Sequence, residues 1–198
     1  MAEPARTAGG ADRHRAAALL ARAFQDDPAT RWIFPDPVAR ATRLPRLFGI
    51  LFDSDASGLR LITGGGEAVT LWRGPGHART GWTELLRRAV PLTLAFGPAL
   101  RRGWRIADGV EAHLPPGPFW YLHMAGCDPA HQRRGHGAAA VRAGLSRAAS
   151  RLPTYLETAN ERNLGFYAGL GFAVTDEWAV SGGGPRFWSM LRPAGAVT

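Results

Sequence analysis

Residues 132–137, Gln-Arg-Arg-Gly-His-Gly, place two arginines and two glycines in one turn. The turn follows Asp128-Pro-Ala-His131 and an apolar run, Phe119-Trp-Tyr-Leu-His-Met-Ala-Gly-Cys127. Gly135 and Gly137 let the backbone approach a bound anion closely. Arg133 and Arg134 add guanidinium donors suited to bidentate contact. The helix expected from about 135 to 150 opens here, and its N-terminus adds roughly half a positive charge and unpaired N–H groups. The chemistry is anion binding, with phosphate the best fit. The spacing is not G-x-G-x-x-G, and no strand-end aspartate follows about 20 residues on, so this is not a dinucleotide fingerprint. Read alone, the turn fits a solvated basic helix cap equally well.

Other chemistries are excluded by composition. The chain has no lysine, which removes Schiff-base catalysis and any GK[ST] phosphate loop. Cys127, the single cysteine, lies in an apolar run without a basic neighbour, so it is not read as a low-pKa nucleophile. His77, His113, His123, His131 and His136 show no ligand spacing with cysteines or carboxylates, and no metal site is expected.

The elements that must position these groups can be read from pattern. Residues 1–12 are rich in Ala, Gly and Pro and are expected to be a flexible terminus, with 13–198 a single domain. Residues 13–25 suit a helix capped by Asp12 and ended by Asp26-Asp27-Pro28, and a second helix fits 38–53. Leu59–Thr63 and Ala68–Arg73 read as a hairpin joined by Gly64-Gly65-Gly66. Residues 80–111 look helical, with interruptions expected at Pro91 and at Gly97-Pro98. A strand over 119–127 leads into the turn. Strand Thr154–Thr158, a short helix over 163–169, and strands over 172–180 and Arg186–Arg192 close the chain. Residues 4–11 are too small and polar to read as a clear strand. The order predicts an α/β fold, with a mixed sheet of about six to seven strands and helices on both faces.

The formal charge is +8, and all 24 basic residues are arginine. An arginine-inflating coding bias accounts for that excess, and most of these side chains are expected to be solvated. No basic stripe interleaved with aromatics appears, so no nucleic-acid partner is expected. No run of 18 apolar residues and no secretory h-region is present. A cytoplasmic protein, monomeric or homodimeric and not membrane-bound, is expected.

A second stretch, Leu156-Glu-Thr-Ala-Asn-Glu-Arg-Asn-Leu-Gly-Phe-Tyr-Ala-Gly-Leu-Gly-Phe172, changes the reading of the turn. Gln-x-x-Gly-x-Gly after a strand, followed about 30 residues on by Asn…Phe-Tyr-x-x-Leu-Gly-Phe, resembles the GCN5-related N-acetyltransferase (GNAT) superfamily. Residues 23–31 (Ala-Phe-Gln-Asp-Asp-Pro-Ala-Thr-Arg), the Leu-Glu-Thr strand and residues 184–192 (Gly-Pro-Arg-Phe-Trp-Ser-Met-Leu-Arg) make it more similar to the puromycin N-acetyltransferase-like group. The resemblance runs from residue 13 to near the end of the chain. Residues 4–11 depart from the family's clear first strand, and residues 77–111 show no readable match.

The resemblance implies acetyl-coenzyme A as donor. Its pyrophosphate would meet the turn at Gln132, Arg133, Arg134, Gly135, His136, Gly137 and Ala138. Its pantetheine arm would run along Ala125, Gly126 and Cys127, with Asn160 and Asn163 as further contacts; either asparagine would also serve as a helix N-cap. Tyr167 is implied as the general acid, protonating the departing thiolate. The acceptor amine must lose a proton, and Glu157 and His123 are the candidate bases, His123 sharing a strand face with Tyr121. His113 and Glu111 are further candidates, as is a chain of waters. Asp26, Asp27, Trp32, Trp72 and Tyr121, with Phe34 and Trp178, are the expected acceptor-side residues, suited to a cationic amine with an aromatic or glycosidic body.

The implied function is acetyl transfer to the amine of a small molecule by direct transfer in a ternary complex, serving antibiotic self-resistance or natural-product modification. The alternatives are a non-catalytic acyl-coenzyme A-binding regulatory module and a protein N-acetyltransferase.

Overall fold

The computed structural model describes residues 4–79, 82–148 and 151–195. Residues 1–3 of the expected flexible terminus, 80–81 at the start of the expected helical region and 149–150 at the end of the expected long helix lie outside the described residues.

Seven strands form one sheet in the order β1-β2-β3-β4-β5-β7-β6. They are β1 (Ala5–Thr7), β2 (Leu59–Thr63), β3 (Ala68–Arg73), β4 (Trp120–Cys127), β5 (Thr154–Thr158), β6 (Ala173–Ala179) and β7 (Arg186–Arg192). Among the described residues only β4 and β5 run parallel. Every other neighbouring pair is antiparallel.

Within the 1–12 segment, β1 pairs Ala5 with Thr63 and Thr7 with Leu61, and Gly10–Asp12 forms a 3-10 turn. The strand is three residues long, which is why alternation gives no signal there.

Helices α1 (Arg13–Ala23), α2 (Pro28–Ile33) and α3 (Pro37–Ser54) follow. The pair Asp27-Pro28 opens α2 rather than closing α1. The Asp27 carboxylate accepts from the N–H groups of Ala29 and Thr30, and Pro28 sits where no backbone donor is needed. Asp36-Pro37 repeats the device at α3. Two further helices, α4 (Trp82–Phe96) and α5 (Leu100–Ala112), lie between β3 and β4. The expected break at Pro91 does not occur, and α4 runs through it. The break at Gly97-Pro98 does occur, as a 3-10 turn with Gly97 at positive φ. Helix α6 (His136–Arg147) follows the glycine turn, and α7 (Leu164–Ala168) follows β5.

Two apolar layers enclose the sheet. Val69 and Leu71 face α1 and α3 with Leu19, Leu20, Leu44, Phe48 and Phe52. Trp72 faces the other layer, with Val141 and Leu145 of α6 and Tyr167 of α7. Period-two alternation therefore serves two cores, and β3 reads as almost continuously apolar because both of its faces are covered.

Candidate active site

The parallel pairing of β4 with β5 has two rungs, Trp120↔Thr154 and Tyr121↔Tyr155. Beyond them β4 continues to Cys127 and β5 to Thr158, so the two strands splay apart. A register shift between Leu71 and Trp72 of β3 leaves His123 without a partner on the antiparallel side of β4, a bulge that re-aims this strand. The splay leaves the β5-facing edge of Ala125, Gly126 and Cys127 outside the sheet ladder.

A cavity of about 340 Å³ lies at that edge. It brings together Ala125, Gly126, Cys127, Gln132, Asn160 and Asn163 from one side and Asp26 and Asp27 from the other. Asn160 and Asn163 belong to the turn after β5. The Asn160 side chain accepts from the Arg162 N–H, and the Asn163 amide donates to Thr158 Oγ1 at 3.2 Å. Arg22 at the end of α1 holds Asp128 at 2.6 Å, tying the first helix to the loop that leaves β4. Burial pushes the Cys127 thiol up, so it stays protonated at neutral pH.

The glycine turn follows. Arg133 at φ 61° and Gly135 at φ 86° bracket Arg134, a conformation that turns successive N–H groups toward one side. Gln132, Arg133, Arg134 and Gly135 are exposed, while His136, Gly137 and Ala138 open α6. A Cβ on Gly137 would meet only ordinary contacts, Cys127 Cβ and Phe166 Cζ at 3.8 Å. The turn therefore offers accessible N–H groups, the first turn of a 12-residue helix and two exposed guanidinium groups, a donor set that fits a pyrophosphate.

Buried titratable groups lie around these strands: the Tyr121–Glu157 pair on β4 and β5, Tyr167 in the core layer with Leu156, and Asp27 at the cavity. The Tyr121 hydroxyl donates to Glu157 Oε1. Glu157 Oε2 is buried and has no hydrogen-bond partner. Burial pushes the Glu157 carboxyl up to about 7, against the opposing pull of the Tyr121 hydrogen bond and the Arg73 charge. Burial also holds the Tyr121 phenol well above its ordinary value. Tyr167 is 7% exposed, with Phe166 and Phe172 edge-on to its ring. Burial, then the charges of Glu157 and Asp27, push its phenol up, so it keeps its proton throughout the working range. Asp27 is pushed up to about 6 by burial, despite the two N–H groups it caps.

His123 joins a cluster that the sequence does not reveal. Its Nδ1 lies 2.6 Å from Asp55 Oδ2, with the Asp55 side chain fully buried. Arg73 Nε donates to the other Asp55 oxygen at 2.7 Å. Burial alone would raise the Asp55 carboxyl, but its contacts with His123 and the Arg73 guanidinium outweigh that and hold it below its ordinary value. An ionised carboxylate only accepts, so Nδ1 of His123 carries the proton and Nε2 presents a lone pair. Burial and the Arg73 charge push the imidazole down, which keeps it neutral. Asp55 follows α3 and Arg73 ends β3, so neither carries a local motif. Only the fold joins them to residue 123.

Trp72 is not an acceptor-side residue. It is fully buried, its indole N–H donates to Thr70 Oγ1 at 2.9 Å, and it packs against Gly144, where a Cβ would sit 2.1 Å from the indole. Trp32 is half-buried beside the Trp178 and Phe187 cluster. Trp178 is stacked on His113 at 4.3 Å. Glu111 is committed to an exposed ion pair with Arg79 at 3.2 Å. Among the described residues no group of histidines, cysteines and carboxylates could hold a metal, and no helix is long and apolar enough to cross a membrane.

Residues 94–172 match the model of the Acetyltransferase (GNAT) family. That segment spans β4, the glycine turn, β5 and α7. The fold is similar to a Corynebacterium glutamicum protein described as histone acetyltransferase HPA2 and related acetyltransferase. The TM-score is 0.74 at 24% identity, over 100% of this chain and 99% of that one. It is also similar to arylalkylamine N-acetyltransferase 2 from Aedes aegypti, with a TM-score of 0.63 at 12% identity, over 96% and 98% of the two chains. A third similar structure is the NatC complex bound to Gag peptide and CoA, with a TM-score of 0.51 at 10% identity, over 98% and 99%.

Proposed function

We propose that this chain, whose residues 94–172 match the GNAT family model, is an enzyme that transfers acetyl from acetyl-coenzyme A to the amine of a small molecule, directly and within a ternary complex. One observation carries this reading. The β4–β5 splay has an open strand edge beside a cavity and, further in, a buried carboxylate poised near neutrality with one oxygen unpartnered.

The residues present fit the donor. The N–H groups of the 133–138 turn suit its pyrophosphate, with Arg133 and Arg134 adding charge. The free edge of Ala125, Gly126 and Cys127 suits the amides of its pantetheine arm, with Asn160 and Asn163 alongside. When bound, acetyl-coenzyme A supplies an activated thioester and a thiolate leaving group.

The chain's own residues handle the protons. Glu157 Oε2, ionised above about pH 7, accepts the proton that the acceptor amine sheds on attack. Its Oε1 is held by the Tyr121 hydroxyl, which keeps the carboxylate in one orientation. Tyr167 Oη gives its proton to the departing sulfur. Burial keeps its phenol neutral, so the proton is in place when the thiolate leaves. His123, neutral and held by Asp55, is a second acceptor on the route by which the proton leaves.

Asp26 and Asp27 at the cavity favour a cationic amine, and Trp32 adds an aromatic face nearby. The resemblance of residues 23–31 and 184–192 to the puromycin N-acetyltransferase-like group supports an amine-bearing natural product as acceptor class. Free-thiol release from acetyl-coenzyme A across a panel of small amines tests the proposal. Amine-dependent release supports it. Tight cofactor binding with no release from any amine would leave a binding module in its place.

A further inference from the structure

A second cavity, of about 510 Å³, lies across α2 from the first. Asp27, at the N-terminus of α2, lines one cavity, while Ile33, at its C-terminus, lines the other. No step proposed above uses the second cavity.

Its floor is apolar and its rim is basic. Phe34 is 3% exposed and stacks on Phe96 at 5.8 Å, with Ala99 beside them. Four arginines line the same cavity: Arg43 from α3, and Arg101, Arg102 and Arg105 from α5. Among the described residues one carboxylate shares it, Asp36. Its two oxygens already accept from the N–H groups of Val38 and Ala39 as the cap of α3.

Two of the arginines have work within the fold. Arg43 donates to the Ala95 carbonyl at 3.1 Å, and Arg102 donates to the Trp32 carbonyl at 3.3 Å. Arg101 and Arg105 have no hydrogen bond or ion pair among the described residues. They stand one helical turn apart on α5, an arrangement of like charges that disfavours the helix by a few tenths of a kcal/mol. A surplus of arginine in the chain explains the number of such residues. It does not explain their convergence from two separate helices on one apolar recess. The size falls in the range of small-molecule sites.

We infer that this recess is a binding site for a small organic anion with an apolar body, a carboxylate or phosphate ester carried on a ring or short chain. The body lies against Phe34, Phe96 and Ala99. The anionic group meets Arg101 and Arg105, whose guanidinium groups match carboxylate and phosphate geometry. The site is separate from the cavity at the β4–β5 splay and does not depend on the acetyl-transfer reading.

The test is a titration of the full chain with benzoate, phenyl phosphate and benzyl alcohol, followed by backbone amide NMR. Saturable shifts at Phe34, Phe96 and Ala99 with the two anions, but not with the alcohol, are expected. Tighter binding of phenyl phosphate than of benzoate would mark a phosphate ester as the physiological class, and the reverse order a carboxylate. The double variant R101E/R105E should weaken anion binding at least tenfold and leave acetyl-coenzyme A affinity unchanged, which also verifies its fold. Equal binding of benzyl alcohol, unaltered binding by the variant, or displacement of benzoate by acetyl-coenzyme A would each overturn the assignment.

Discussion

The Tyr121 hydroxyl donates to Glu157 Oε1 beside the last shared rung of β4 and β5, where the two strands begin to part. This contact joins the sheet's integrity to its chemistry. Tyr121 still belongs to the paired ladder, whereas Glu157 lies past it on β5.

The Glu157 carboxyl, pushed up to about 7, sets a pH dependence of opposite sign for rate and stability. The proposed base role needs the ionised form, so kcat/KM should rise through about pH 7 and level off above it. Folding favours the protonated form, because the folded value lies above the unfolded one. That contribution is full below the ordinary carboxylate range and is lost as pH rises through about 7. Glu157→Gln keeps an acceptor for Tyr121. It should lower kcat by roughly 10²-fold or more and raise stability above pH 7 by on the order of 3 kcal/mol. Thermal melts and initial rates from pH 5 to 9 check both limbs.

Tyr167 packs in the core and, in the proposed reaction, gives a proton, and Tyr167→Phe separates the two roles. The ring contacts with Phe166 and Phe172 remain, so the melting temperature should hold. Turnover should fall by roughly 10²-fold, with acetyl-coenzyme A affinity within about twofold of wild type. Calorimetric binding alongside steady-state kinetics makes the comparison. A variant that turns over normally would remove Tyr167 from the acid role.

The two glycines of the turn should fail differently. Gly135 sits at φ 86°, so Gly135→Ala strains the backbone by about 1 kcal/mol and lowers the melting temperature by about 2–4 °C. Gly137 has ordinary backbone geometry and room for a Cβ. Gly137→Ala should melt like wild type while its methyl intrudes on the pyrophosphate, raising the acetyl-coenzyme A KM about tenfold, a loss of about 1.4 kcal/mol.

Asp55 pairs with Arg73 and holds the neutral His123 in one buried cluster, and removing its charge strands the Arg73 guanidinium. Asp55→Asn should cost about 3 kcal/mol at neutral pH. The Asp55 carboxyl is held below its ordinary value, so its contribution is present above the ordinary aspartate range and lost as pH falls through the folded value. The variant should therefore show a shallower acid limb in urea unfolding than wild type.

Local signals explain most of what could be read in advance. The hairpin of β2 and β3, the strand into the glycine turn, and β5 with α7 each carry alternation, turn chemistry or a motif within a few residues. Their bounds in the fold lie within a few residues of the pattern. Asp27-Pro28 misled in one respect: α1 has already ended at Ala23, and the pair instead opens α2, where a capping aspartate followed by proline belongs. Trp72 misled because β3 is covered on both faces, so an aromatic there signals core as readily as a pocket. Pro91 misled because one missing donor does not end a helix that packing sustains. The Asp55–His123–Arg73 cluster and the arginine-rimmed recess were illegible for a different reason. Each assembles from residues tens of positions apart, on elements whose meeting only the tertiary fold decides.

The proposed function requires acetylation of a small amine, with Glu157 and Tyr167 acting at the β4–β5 splay. Mass spectrometry of acetyl-coenzyme A reactions offered aromatic and glycosidic amines together with peptide N-termini tests it most directly. Acetylated small amines are expected from wild type, with strongly reduced yield from both Glu157→Gln and Tyr167→Phe, and unmodified peptides. Acetylation confined to the peptides, or product formation indifferent to both substitutions, would contradict it.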